Sequence, residues 1–114
     1  MSENIHRVPE LSRTGISSAA GGTFAIASAP TVNPLARSGI YRLLLIVGAA
    51  CTVTFQDTNS NAISAALVFA GAGIIVLDTQ VNGDPWFSTG TGVGLQMVVS
   101  AAVQVSADVG WLQG

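Results

Sequence analysis

The stretch Asp84–Val105, DPWFSTGTGVGLQMVVSAAVQV, decides how the rest of the chain reads. Trp86 and Phe87 open it as large apolar residues, and Gly90, Gly92 and Gly94 interrupt it. Leu95–Ser100 (LQMVVS) and Val103–Val105 (VQV) then resume with strand character. A period of two marks a half-buried strand, where a helix would show 3.6. After Asp84 the stretch carries no ionisable side chain, so it offers no nucleophile with its base and no metal cluster. It reads as β framework that packs against something.

Upstream the same pattern continues. Cys51–Gln56 (CTVTFQ) alternates, with Cys51, Val53 and Phe55 on one face and both threonines on the other. Ile40–Ala49 (IYRLLLIVGA) is a strongly apolar run bounded by Gly39 and Gly48, short for a helix and lacking a capped, periodic start. Asp57–Asn61 (DTNSN) is a turn. Ile63–Phe69 and Ile74–Asp78 flank the break Ala70-Gly71-Ala72-Gly73, and the β-branched residues of the second argue for strand. Asn82-Gly83 is a tight-turn dipeptide, ended by Asp84-Pro85. Downstream, Leu95–Ser100 is expected to pair back on the strand opened by Trp86-Phe87. Asp108 is expected to mark a turn before Val109–Leu112 closes the chain. Short strands spaced by turns predict an all-β fold: an antiparallel β-sandwich or barrel, jelly-roll-like.

Residues 1–38 read differently. Ser, Thr, Gly, Ala and Pro dominate, with prolines at 9, 30 and 34. An extended N-terminal arm over 1–38 and a sandwich body over 39–114 are the expected division. Within the arm, Thr23–Ala27 (TFAIA) alternates weakly, and Phe24 and Ile26 give it something to bury as an added edge strand.

The totals narrow the function. Apolar residues make up 49% and charged residues 9% of the 114, against roughly 25% charged in ordinary globular chains. Mean hydropathy is +0.56. So little charge predicts that much of the surface is covered by contacts. Arg7, Arg13, Arg37 and Arg42 are the only cations, all in the first part of the chain, and every charge after Arg42 is an aspartate. That sparseness excludes a nucleic-acid footprint. The single Cys51 allows no intrachain disulfide and reads as a buried, inert thiol. No basic start followed by an apolar core is seen at the N-terminus, which favours synthesis in the cytoplasm. A body of roughly 75 residues hides only about 60% of its unfolded surface and usually leans on disulfides, metals or oligomerisation. The residues for the first two are missing, so association with other copies is expected.

Individual constellations reduce to framework. Asp57–Asn61 begins like a calcium loop, but Ala62 stands where its glycine belongs and Val68 where its closing glutamate belongs. Gly90, Gly92 and Gly94 lead into a strand, not into the helix a phosphate loop needs. His6 is the only histidine and has no partners in sequence. Thr58–Leu77 is free of charge yet short of the roughly 20 apolar residues a membrane helix requires, and aspartates flank it. No catalytic residue, cofactor or metal is expected, nor a membrane or direct nucleic-acid partner. The expected contact residues are Arg7 and Arg13, Phe24 and Ile26 of the arm, and the aromatics Trp86, Phe87 and Trp111, since such aromatics dominate interfaces.

From Gly39 onward the chain resembles small virion proteins of tailed bacteriophages. The residues that carry the likeness are Ile40-Tyr41-Arg42-Leu43, Ser64 to Phe69, Pro85-Trp86-Phe87-Ser88-Thr89, Gly94-Leu95 and Ser100 to Val105. It is most similar to the capsid decoration, or cement, proteins, although the motifs of the lambda-type protein are absent. The resemblance implies a non-enzymatic homotrimer on the outer capsid surface, bound to the major capsid protein and reinforcing contacts between its subunits. A tail, baseplate or fibre component, or a carbohydrate-binding sandwich with a tryptophan platform, is the alternative.

Overall fold

A computed structural model describes residues 11–114; Arg7 and His6 lie outside them. Among the described residues there are nine strands and no helix. They are β1 (Ser12–Ser18), β2 (Gly22–Ala27), β3 (Arg37–Val47), β4 (Cys51–Asp57), β5 (Leu67–Phe69), β6 (Gly73–Leu77), β7 (Phe87–Thr91), β8 (Leu95–Val99) and β9 (Val105–Gln113). One sheet has the order β1-β9-β3-β6, with β7 also on β3; the other has the order β2-β8-β4-β5. Every pairing is antiparallel. The expected all-β antiparallel sandwich is the fold.

Period-two alternation builds the core. Val53 and Phe55 of β4 and Leu95, Met97 and Val99 of β8 point inward from one sheet. Leu43, Leu45 and Val47 of β3, with Val105, Ala107 and Val109 of β9, meet them from the other. Each large side chain buried this way contributes about 1.5–3 kcal/mol, so these rows dominate the energetics. Phe87 stacks on Phe55 with centroids 5.8 Å apart and planes inclined by 17°.

The expected arm needs correction. β1 pairs with β9 from Ser12 opposite Trp111 to Ser18 opposite Val105, and β2 pairs with β8. Ile16, Ile26 and Ala27 join the core. Thr14 Oγ1 accepts a hydrogen bond from Trp111 Nε1 (3.0 Å) and donates to the Ile26 carbonyl (2.7 Å), tying the two sheets together. The sandwich therefore begins at Ser12, not Gly39. These strands are rich in Ser, Thr and Gly, so the backbone ladder holds them more than an apolar face does.

Two further expectations change. β7 and β8 do not pair: β7 lies on β3, whereas β8 lies between β2 and β4 in the other sheet. The link between them must cross the sandwich through a tight space. A Cβ on Gly94 would collide with the Ala27 carbonyl oxygen, and Gly92 has φ +78°, a conformation that favours glycine. Asp108 is no turn. It lies inside β9, where its carboxylate faces outward to an arginine of β1, so the strand continues through it. Only Leu67–Phe69 of the Ile63–Phe69 run is strand; Ile63 and Ser64 instead donate their N–H groups to the Phe55 carbonyl.

One feature of the first sheet organises its edge. β9 accompanies β3 along its whole length, so β6 and β7 share the other side of β3, with Leu77 opposite Leu43 and Phe87 opposite Ile40. They are two halves of one interrupted strand, and residues 78–86 loop out between them.

Candidate functional site

The two sandwich faces turned to solvent differ in chemistry. On the outer face of the second sheet, Thr23, Thr52, Thr54, Gln56 and Gln96 alternate with the core residues, and Gln96 Nε2 donates to Gln56 Oε1 at 2.9 Å. This surface is largely polar, with Val98 half-buried between Thr23 and Thr54 and Val68 of β5 exposed beside Thr52. On the first sheet, Leu44 and Ile46 of β3 point outward beside Val76 and Ile74 of β6, with Leu44 opposite Val76 and Ile46 opposite Ile74. These four aliphatic side chains form one block; Ile74 is 65% and Val76 67% exposed, Leu44 and Ile46 41% each.

Charge borders this block at one end. Arg42 Nε lies 3.1 Å from Asp78 Oδ1. Arg13 of β1 forms a two-point pair with Asp108 of β9, with Nε 3.3 Å from Oδ1 in the longer arm. The hydrogen bond and then the charge of Asp108 hold the Arg13 guanidinium proton more firmly than usual. Both pairs are solvent-exposed, so they orient the rim and contribute little to stability. Leu11, Leu44, Val76 and the charged residues border a shallow depression of about 360 Å³.

The expected contact residues do not converge. Arg13 is on the outer face of the first sheet, at the far end of the rim. Ile26 is core, and Phe24, Phe87 and Trp111 are half-buried against it. Trp86, 40% exposed, closes the 78–86 loop by donating Nε1–H to the Asp78 carbonyl at 2.7 Å. The polar atoms around it serve the loop itself: Gln80 Nε2 donates to the Asp84 and Pro85 carbonyls (3.2 Å each), and Asn82 Oδ1 accepts from the Asp84 N–H.

The Asp57–Asn61 segment is the polar turn it was expected to be. Asp57 Oδ1 accepts N–H groups from Asn59 (2.8 Å) and Asn61 (3.0 Å), and Oδ2 accepts from Asn61 Nδ2 (3.2 Å). The Asn61 backbone bond, ahead of its side-chain bond and that from Asn59, pulls the Asp57 carboxyl below its usual range against the opposing effect of burial. Among the described residues, no three His, Cys, Asp or Glu side chains gather, and Cys51 is buried in the core.

The aliphatic block was missed because its residues sit in unbroken apolar runs, LLLIV and IIVL. Such runs ordinarily mean a strand covered on both faces. A two-sheet sandwich covers only one, and that mismatch is the signal.

Comparison with known proteins names no relative: no family model and no curated protein matches the chain. Among solved structures, a C-terminal domain of EclA, a sugar-binding protein, aligns over 95% of this chain and 82% of its own at 12% identity, with a TM-score of 0.42. A likeness that slight bears on neither ligand nor activity.

Proposed function

We propose that this chain is a non-enzymatic structural module that works by assembling with copies of itself. Its setting is the one implied by the sequence resemblance, the outer shell of a tailed-phage virion. The observation that carries the assembly reading is the block of Leu44, Ile46, Ile74 and Val76, left open on one outer face while the other is largely polar. Water does not tolerate a wide apolar surface on a chain with so few charges, and covering it with protein is the ordinary remedy. The sequence likeness supports a place on the capsid, where repeated weak contacts add through avidity.

Sedimentation of the purified protein, followed by mixing with phage heads that lack it, tests this. Concentration-dependent association and hundreds of copies bound per head are expected; a few to tens on the tail would move the module there. A stable monomer that leaves heads bare ends the proposal. The exposed ring of Trp86 favours a second reading, a sugar platform. Silence on a glycan array, with tryptophan fluorescence unmoved by sugars, removes it.

A further inference from the structure

We propose that two copies of this chain join edge to edge through β6. Gly73–Leu77 of each adds antiparallel to its mate around a two-fold axis at Ile75. The choice of a second copy as occupant rests on the self-assembly reading above; the pairing covers the β6 edge and joins the two outward aliphatic blocks into one continuous face, which further copies or the shell would cover.

Among the described residues one edge of the sandwich is unguarded, the side of β3 that β6 shares with β7, and there β7 is interrupted by a register shift opposite Arg37–Gly39 of β3. Natural sheets protect their edges with charge, bulges, short strands or covering segments. β1 carries Arg13 and is tied to β2 through Thr14 and the Ile26 carbonyl. β2 is broken by a bulge between Ala25 and Ala27, and β5 is only three residues long. β6 has five residues in unbroken register with β3, with no charge and no proline, and no strand among the described residues covers its outer side. Ile75 and Leu77, which point inward from β6, are only half-buried, as are Leu67 and Phe69 of β5. Val68 is exposed on the other sheet. The sandwich is thus shut at its β1–β2 side and apolar at its β5–β6 side. That open side is built from the run 58–77, which has no ionisable residue.

A second copy fits this edge because the strand complements itself. With the axis at Ile75, Ile74 lies opposite Val76 of the second copy, and Gly73 lies opposite its Leu77. All five residues pair, and every cross-strand neighbour is apolar or glycine. Asp78 falls opposite Ala72 and already has Arg42 as its counter-charge. The projecting loop from Thr79 to Val81 falls opposite residues 69–71, where Ala70 and Gly71 present little bulk and the space beside Gly71 is open. A two-fold contact closes at the dimer, in place of the trimer implied by the resemblance.

The test uses the full chain. Across an antiparallel pair the two Cα atoms at the axis lie about 4.5–5.5 Å apart, within disulfide reach. In a Cys51→Ala background, Ile75→Cys is expected to yield covalent dimers under mild oxidant. Ile74→Cys is expected to yield few, because its own mate lies about 7–8 Å away on the diagonal. Val76→Lys, at a side chain already in water, is expected to keep the thermal transition and weaken the dimer about tenfold or more by sedimentation. Should the Ile75→Cys protein fail to fold, the Val76→Lys sedimentation result decides alone. Equal cross-linking at positions 74 and 75, or a dimer indifferent to Val76→Lys, overturns the contact. A trimer, or a monomer that still coats phage heads, overturns it while leaving the proposed function standing. A monomer that leaves heads bare removes both.

Discussion

Asp57 shows how one side chain secures a loop. Its carboxylate occupies two backbone N–H groups and one amide across Asn59 and Asn61. Asp57→Ala frees those donors and is expected to cost about 1–3 kcal/mol in urea unfolding at neutral pH. Because folding depresses this carboxyl's pKa, its contribution is complete above the unfolded value of about 3.9. It is lost as pH falls below that value and through the folded one. The wild-type protein is therefore expected to lose stability more steeply than Asp57→Ala in titrations below about pH 4. Equal slopes would show that the carboxylate is not the group involved. Gly94 makes the opposite case, a residue needed for what it lacks. Gly94→Ala drives a methyl into the Ala27 carbonyl and is expected to cost about 1–3 kcal/mol by the same unfolding measurement.

At the scale of elements, the legible strands are those with one face in the core and the other half-open. β4 and β8 bury every second side chain and leave the ones between half-exposed, and their alternation is plain in CTVTFQ and LQMVV. β1 and β2 were harder, because SRTGISS and GTFAIA hold few large apolar residues. Their place depends on β9 and β8, which lie far along the chain. Deleting residues 1–20 therefore removes a strand, the Ile16 side chain and the Thr14 bridge together. The truncated protein is expected to lose about 3 kcal/mol or more, or its cooperative thermal transition altogether. A truncated chain that unfolds at the same urea midpoint would restore the arm. Asp108 was misread for a related reason: a carboxylate in an apolar context signals a turn unless an outward face and a cross-strand arginine receive it.

For the whole molecule, the distribution of charge determines how association responds to solvent. The proposed contact surface is aliphatic, and its ion pairs are exposed at the rim. Association through it is expected to persist, or tighten, when sodium chloride is raised from about 0.1 to 1 M, since salt screens exposed pairs and leaves apolar burial intact. Light scattering across that range checks it, and dissociation at high salt would assign the contact to charge. Little of the candidate surface was legible in advance. Of the residues expected at contacts, the described ones are divided among the core, the rim and the 78–86 loop. The aliphatic block came from residues that composition marks as interior.

The amino-acid sequence alone determined the β class, most of the turns and which residues of the central strands alternate. Those follow from backbone geometry and from side chains that point to opposite faces every second residue, both local properties. Tertiary structure decided which strands share a sheet, that β7 and β8 part across Gly92 and Gly94, and that β6 ends as an open edge. Those outcomes depend on pairing between residues tens of positions apart. An isoleucine reads the same in a chain whether its strand becomes the middle of a sheet or its margin; only the neighbours that folding supplies distinguish the two.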